Sequence, residues 1–198
     1  MKFKNRKEKM DGFSQEEEEE KKKASEIKTF LVPFTLQDIK ENITIDTNNA
    51  DKPSKEQIIS QAFKFHSEGN ISEAAKYYQS FIDHDFKDQR VFSNYGVILK
   101  KLGKLQEAEL LYRKAIEINP NIAITHSNLG NVLRGLDNLQ DAELSTRKAI
   151  ELQPNLAEAH SNLGNILNDL GKLKEAEVSI RKAIQLNPNF AEAYLTLG

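Results

Sequence analysis

The hexapeptide His-Ser-Asn-Leu-Gly-Asn occurs at residues 126–131 and again at 160–165, 34 residues further on. It gathers three chemistries in one short stretch: imidazoles that could move a proton or hold a metal, hydroxyls that could act as nucleophiles, and amides that could pair with a peptide backbone. The surroundings select among them. No acidic residue recurs beside His126 and His160 in a metal-ligand pattern, and no Gly-rich phosphate loop or nucleophile elbow surrounds Ser127 and Ser161. His126 and His160 also share their place in the 34-residue frame with Phe92 and Tyr194, so the pattern predicts an aromatic spacer with a polar edge. His66 and His84 have no recurring partner. The expectation is a chain without catalytic residues, metal or cofactor, in which the Asn side chains alone remain candidates for function.

The elements that carry these residues follow from the same repeat. Aligning on the duplicated stretch divides the chain into units at 55–88, 89–122, 123–156 and 157–190, with a partial unit at 191–198. Self-similarity at this period marks a stacked array, in which no unit holds a core of its own. Each unit reads as two helices. In the fourth, Leu163, Ile166, Leu167 and Leu170 recur at helical spacing and Gly171 stops the helix in a left-handed conformation. A second helix carries Leu173, Ala176, Ile180, Ala183, Ile184 and Leu186 on one stripe. Pro188 ends it, and Asn189 stands where it could cap the next helix. The second helices repeat Glu with Arg four residues later, at Glu109 and Arg113, Glu143 and Arg147, and Glu177 and Arg181, which predicts a solvated face.

The remainder of the chain is different in kind. Residues 1–28 are dominated by charge, including Glu16 to Glu20 followed directly by Lys21 to Lys23, and read as a disordered tail. Residues 29–54 read as a linker with a short apolar segment, Thr29 to Phe34, interrupted by Pro33. That segment could lie across the end of the first unit or serve as a linear motif. Ser54 with Gln57 forms a capping box at the start of the ordered part. A formal charge of −2 gives no strong steering toward nucleic acid or anionic lipid. With no cysteine, no signal-peptide core and no long uncharged apolar run, the expected setting is cytoplasmic, without a membrane span.

The units resemble the tetratricopeptide repeat family. The residues that carry the likeness are Phe92, Tyr95, Gly96, Leu99, Ala108, Tyr112, Ala115 and Pro120 in the second unit. The third has His126, Leu129, Gly130, Leu133, Ala142, Thr146, Ala149 and Pro154, and the fourth His160, Leu163, Gly164, Leu167, Ala176, Ile180, Ala183 and Pro188. The first unit departs most, with Gln61 and Ala62 in place of Leu-Gly, Phe81 at a small position and Phe86 in place of the proline. The resemblance covers about seven-tenths of the chain and implies an all-α fold, a right-handed α-solenoid of stacked helix-turn-helix units.

It also implies a concave groove lined by the first helices of the units, and a protein or peptide partner bound there in extended form. Asn94, Asn128 and Asn162 recur at one such position and would offer donors and acceptors to the backbone of a peptide independently of its sequence. This column is similar to the peptide-holding ladder in the tetratricopeptide arm of O-linked N-acetylglucosamine transferase. Ser60 and Thr196 replace it in the flanking units. Asn131 and Asn165 add polar groups one turn away, and Arg90 and Arg134 bring positive charge near the groove. The carboxylate clamp of chaperone-tail receptors is disfavoured, because Ser93 and Ser127 stand where it wants Lys.

The final residues, Ala191 to Gly198, are expected to leave the fourth unit uncapped, which favours self-association. Repeats of this appearance in bacteria, including marine cyanobacteria, often continue into more repeats or into a glycosyltransferase, sulfotransferase or methyltransferase domain. The alternative reading is therefore the truncated recognition arm of such an enzyme.

Overall fold

The computed structural model describes residues 53–188. Residues 1–28, nearly all of the linker 29–54, Asn189 and the partial unit 191–198 lie outside them. The described residues form eight helices and no strand: α1 (Lys55–Ser67), α2 (Ile71–Asp83), α3 (Gln89–Lys101), α4 (Leu105–Ile118), α5 (Ala123–Gly135), α6 (Leu139–Leu152), α7 (Ala157–Asp169) and α8 (Leu173–Leu186). Odd helices pack on the even helices that follow them, and each even helix packs on the next odd one, so the fold is an all-α solenoid. No described helix is long and apolar enough to cross a membrane.

Local chemistry sets the helix ends. At α1 the Ser54 Oγ accepts from the Gln57 N–H at 3.2 Å while Gln57 Oε1 accepts from the Ser54 N–H at 2.7 Å, the reciprocal bonds of the predicted box. Asp88 caps α3 by accepting from the N–H groups of Arg90 and Val91. The junctions before α5 and α7 work differently. Their N-caps are Ile122 and Leu156, with no side-chain bond, so Asn121 and Asn155, the counterparts of Asn189, sit one residue too early to cap. Each of these turns is instead tied by a histidine. His126 Nε2 donates to the Pro120 carbonyl at 2.8 Å, and His160 Nε2 to the Pro154 carbonyl at 2.9 Å, which fixes the proton on Nε2 in both rings.

Within units, Gly103 and Gly171 turn the chain at φ +75° and +73°. Asp137 holds the same place in the third unit at φ +61°, which a short polar side chain tolerates. The first unit lacks the proline, and α2 ends through Asp85 at φ +53°, with the Phe86 N–H bonded back to the Phe81 carbonyl at 3.3 Å. Phe86 then packs on Phe81, ring centroids 5.5 Å apart.

The two helices of a unit meet at the small residue of the first. A Cβ at Gly96 would come within 2.9 Å of the Tyr112 ring, one at Gly130 would overlap Thr146 Oγ1 and stand 3.0 Å from the Ala142 carbonyl, and one at Gly164 would overlap the Ile180 side chain. Thr146 is fully buried, and its hydroxyl has no hydrogen-bond partner among the described residues. In the first unit Ala62 replaces the glycine and the facing residue is the buried Tyr78. Its hydroxyl shares a hydrogen bond with His66 Nδ1 at 3.0 Å, and Asn94 of the next unit lies beside it. Burial pushes the Tyr78 phenol up, against the opposing Asn94 bond. Burial, and secondarily the positive charge of Lys101, lowers His66 to about 4.

Three outcomes are expected. Gly130→Ala should destabilise by about 1–2 kcal/mol, because the backbone carbonyl of Ala142 cannot yield, even after a helix-propensity gain. Thr146→Val should stabilise by about 1 kcal/mol by removing a buried hydroxyl that lacks a partner. Urea unfolding checks both. A third concerns pH: the folded chain refuses a proton at His66 that the unfolded chain accepts below its ordinary value of 6.5. Stability should therefore fall on acidification from about pH 6.5 to about 4, by up to about 3 kcal/mol. The urea midpoint of His66→Phe should lose this component, and parallel pH curves for the two chains would count against it.

Candidate functional site

The duplicated residues come together along the first helices. Asn94 on α3, Asn128 on α5 and Asn162 on α7 occupy equivalent positions, preceded by Ser93, Ser127 and Ser161. Polar bonds cross from unit to unit here. Ser93 Oγ lies 3.3 Å from Thr125 Oγ1, Asn162 Nδ2 donates to Ser127 Oγ at 3.0 Å, and Asn131 Nδ2 donates to Asn162 Oδ1 at 3.4 Å. Asn94 reaches back to Tyr78. The amides thus form part of a column of neutral hydrogen bonds that stitches successive first helices together.

Exposure varies along the column. Asn94 and Asn128 are fully buried, Asn131 is nearly so, and Asn162 and Asn165 are half-buried. The two arginines expected near the groove have carboxylate partners within the array. Arg90 pairs with Asp88 at 3.0 Å and lies 5.7 Å from the centre of the Phe63 ring, and Arg134 pairs with Asp169 of the next unit. Lys100, at the position equivalent to Arg134, is 2% exposed, and sequence reasoning passed over it. A Lys beside a second Lys in the last turn of a helix carries no sign of its burial.

The histidines are accounted for elsewhere. His126 and His160 are held by proline carbonyls, His66 by Tyr78, and His84 Nδ1 donates to the Ser80 carbonyl at 2.7 Å. Among the described residues no three His, Cys, Asp or Glu side chains group as metal ligands would.

The second helices carry the predicted charged face and more. Glu109–Arg113, Glu143–Arg147 and Glu177–Arg181 pair within their helices. Arg147 also bridges to Glu175 at 3.1 Å and Lys172 to Glu143 at 2.7 Å, so the face links the third unit to the fourth. The Lys172 ammonium, helped by Arg147 and opposed by partial burial, holds the Glu143 carboxyl below the usual range. Beside these charges Leu110, Leu144 and Val178 stand exposed at 34-residue intervals. A cleft of about 410 Å³ opens next to Leu144, with Ile116 and Leu129 in its lining and Arg113, Glu117 and Lys148 around it. The regular spacing of three apolar residues was present in the sequence but was masked by the apolar stripe that each helix needs for its core.

Comparison with known proteins agrees with this geometry. Models of the tetratricopeptide repeat match residues 157–190 and 124–156, and a model of the TPR repeat matches residues 96–136. No curated protein sequence matches the chain. Among solved structures, the chain is similar to YrrB, described as a TPR protein with an unusual peptide-binding site, with a TM-score of 0.67 and 19% identity over 73% of this chain and 74% of that one. The structure of MamA from residue 41 to its end, from Desulfovibrio magneticus RS-1, aligns with a TM-score of 0.63 and 21% identity over 71% of this chain and 79% of that one. The first TPR of Spaghetti, solved bound to an HSP90 peptide, aligns with a TM-score of 0.54 and 28% identity over 55% of this chain and 86% of that domain. With its paired helices, its small-to-large contacts at 34-residue intervals and these matching models, the chain belongs to the tetratricopeptide repeat family.

Proposed function

We propose that the array is a non-catalytic protein-interaction module that holds an extended segment of a protein partner along its first helices. The observation that carries the reading is the recurrence of Asn94, Asn128 and Asn162 in a column that otherwise serves only neutral hydrogen bonds. An amide can donate and accept at once, so such a column can take over the backbone groups of an extended chain without selecting its side chains. Asn165, half-buried on α7, extends it, and Asn131 lies within it. The peptide-bound state of the Spaghetti domain and the peptide site ascribed to YrrB support a peptide as the ligand class.

The charges argue against an acidic chaperone tail as the favoured ligand. Ser93 and Ser127 replace the lysines such a clamp uses, and Arg90 and Arg134 already serve Asp88 and Asp169. Breaking those internal pairs would offset much of what a peptide carboxylate gained. The partner is accordingly a segment recognised through its backbone, with charge in a secondary role.

The test is a peptide array probed with the full chain and with Asn94→Ala/Asn128→Ala/Asn162→Ala. Binding should fall at least ten-fold in the triple variant. Because Asn94 and Asn128 are fully buried and Asn162 bonds Ser127, a stability loss of about 1 kcal/mol per residue accompanies it, so circular dichroism and urea unfolding are measured alongside. Undiminished array binding by a helical triple variant would sink the proposal.

A further inference from the structure

Leu110 on α4, Leu144 on α6 and Val178 on α8 hold one position of the repeat, and all three stand exposed on the second helices. Three residues before each is an acid, Glu107, Asp141 and Glu175, and three residues after each is an arginine, Arg113, Arg147 and Arg181. Leu144 is 70% exposed and also forms one wall of the cleft of about 410 Å³ between α4, α5 and α6. The cleft opens at this junction because His126, Leu129 and Ser145 stand where the bulkier Phe92, Tyr95 and Leu111 are buried one unit earlier. The face therefore carries a protruding leucine and an apolar recess side by side.

We infer that this face is the contact between two copies of the chain, related by a two-fold axis that runs across the second helices close to Leu144. A two-fold contact presents one patch to itself, so a projection needs its own recess within reach of the axis. Leu144 of each copy enters the cleft of the other, between Ile116 and Leu129. Such an axis lays each second helix antiparallel on its own copy, so the residue three before the apolar position meets the residue three after it. The matches are Glu107 with Arg113, Asp141 with Arg147 and Glu175 with Arg181. A parallel pairing of α6 with its copy would set acid against acid and arginine against arginine, so charge selects the antiparallel one. The match weakens on α8, where Lys174 would oppose Lys182, which centres the contact on α4 and α6. Arg113 and Arg147 already pair within the chain, but about half of each side chain is exposed, where such pairs are weak, and a guanidinium can take a second carboxylate without leaving the first. Helices of 14 residues at a spacing of about 10 Å make a face roughly 20 Å by 20–30 Å. Two such faces bury no more than the ~1,200 Å² at which specific interfaces begin, so the dimer is weak, with Kd on the order of 10–100 µM. The contact leaves the Asn column of each copy untouched and stands independently of the peptide reading. It sets two columns on one particle, so a partner with two segments gains from effective concentration.

Sedimentation of the full chain should show a reversible dimer that weakens as salt rises from about 0.05 M to about 0.5 M, because the matched charges are exposed. Leu144→Asp should raise Kd at least ten-fold. Asp141→Arg and Arg147→Glu should each raise it at least five-fold. Combined in one chain they should return it to within about two-fold of the unaltered value, since the swap restores opposite charges across the axis. Circular dichroism accompanies each variant. A second readout keeps the native charges: the chain has no cysteine, so Leu144→Cys under mild oxidation should link two copies at least ten-fold faster than Asn168→Cys, exposed on α7. Where a charge variant loses its helices, the cysteine rates alone decide. A chain that stays monomeric at about 0.5 mM, well above the expected Kd, would overturn the inference. So would equal linking rates at the two cysteines, or association that survives Leu144→Asp, that salt strengthens, or that a folded double swap leaves weakened, because each places the contact elsewhere.

Discussion

The structure depends on the distance between the two helices of a unit, which is set by a residue without a side chain. Gly96, Gly130 and Gly164 let Tyr112, Thr146 and Ile180 lie directly on the opposing backbone. Close approach at that point brings Ala108, Ala142 and Ala176 into the same contact and aligns the large residues on either side. A pair of helices built this way still has an open apolar side, which the next pair covers. The array is the consequence of one short contact repeated, and its regularity follows from the regularity of that contact.

Much of this was legible in the chain. The small-to-large pairing appears as fixed residues at fixed offsets, and so do the helix-ending prolines and glycines. What was not legible depended on geometry between units. His126 and His160 read as packing spacers, and they are also ties that hold the junction turn through a proline carbonyl six residues earlier. Asn189 reads as a cap by type, but its counterparts Asn121 and Asn155 stand one residue ahead of the N-caps of α5 and α7. Asp137 and Asp85 adopt left-handed conformations without the glycine that would announce them. Each difference arises because a residue's role is decided by a partner in another helix or one turn away, where sequence offsets carry little information.

The candidate site divides in the same manner. That the Asn residues share one side of the first helices could be read from the 34-residue period. Their burial, the bond from Asn162 to Ser127 and the bond between Tyr78 and His66 beside Asn94 could not, because each spans two helices. The amides serve the cohesion of the array as well as any ligand. A site made of groups that already satisfy one another is pre-organised, and a ligand there exchanges bonds instead of creating them.

The two sides of the array are joined by different kinds of force. Between first helices the links are mostly neutral, from Asn131 to Asn162 and from Asn162 to Ser127, with one ion pair from Arg134 to Asp169. Between second helices they are exposed ion pairs such as Arg147 with Glu175. Dissolved salt screens the second kind over a Debye length of about 8 Å at physiological strength and leaves the first nearly untouched. In mechanical terms the solenoid is a two-layer strip whose layers differ in stiffness, with ionic strength softening the second-helix layer more than the first. Its curvature, and with it the spacing of the units that a long ligand must span, is thereby a property of the solution as well as of the chain.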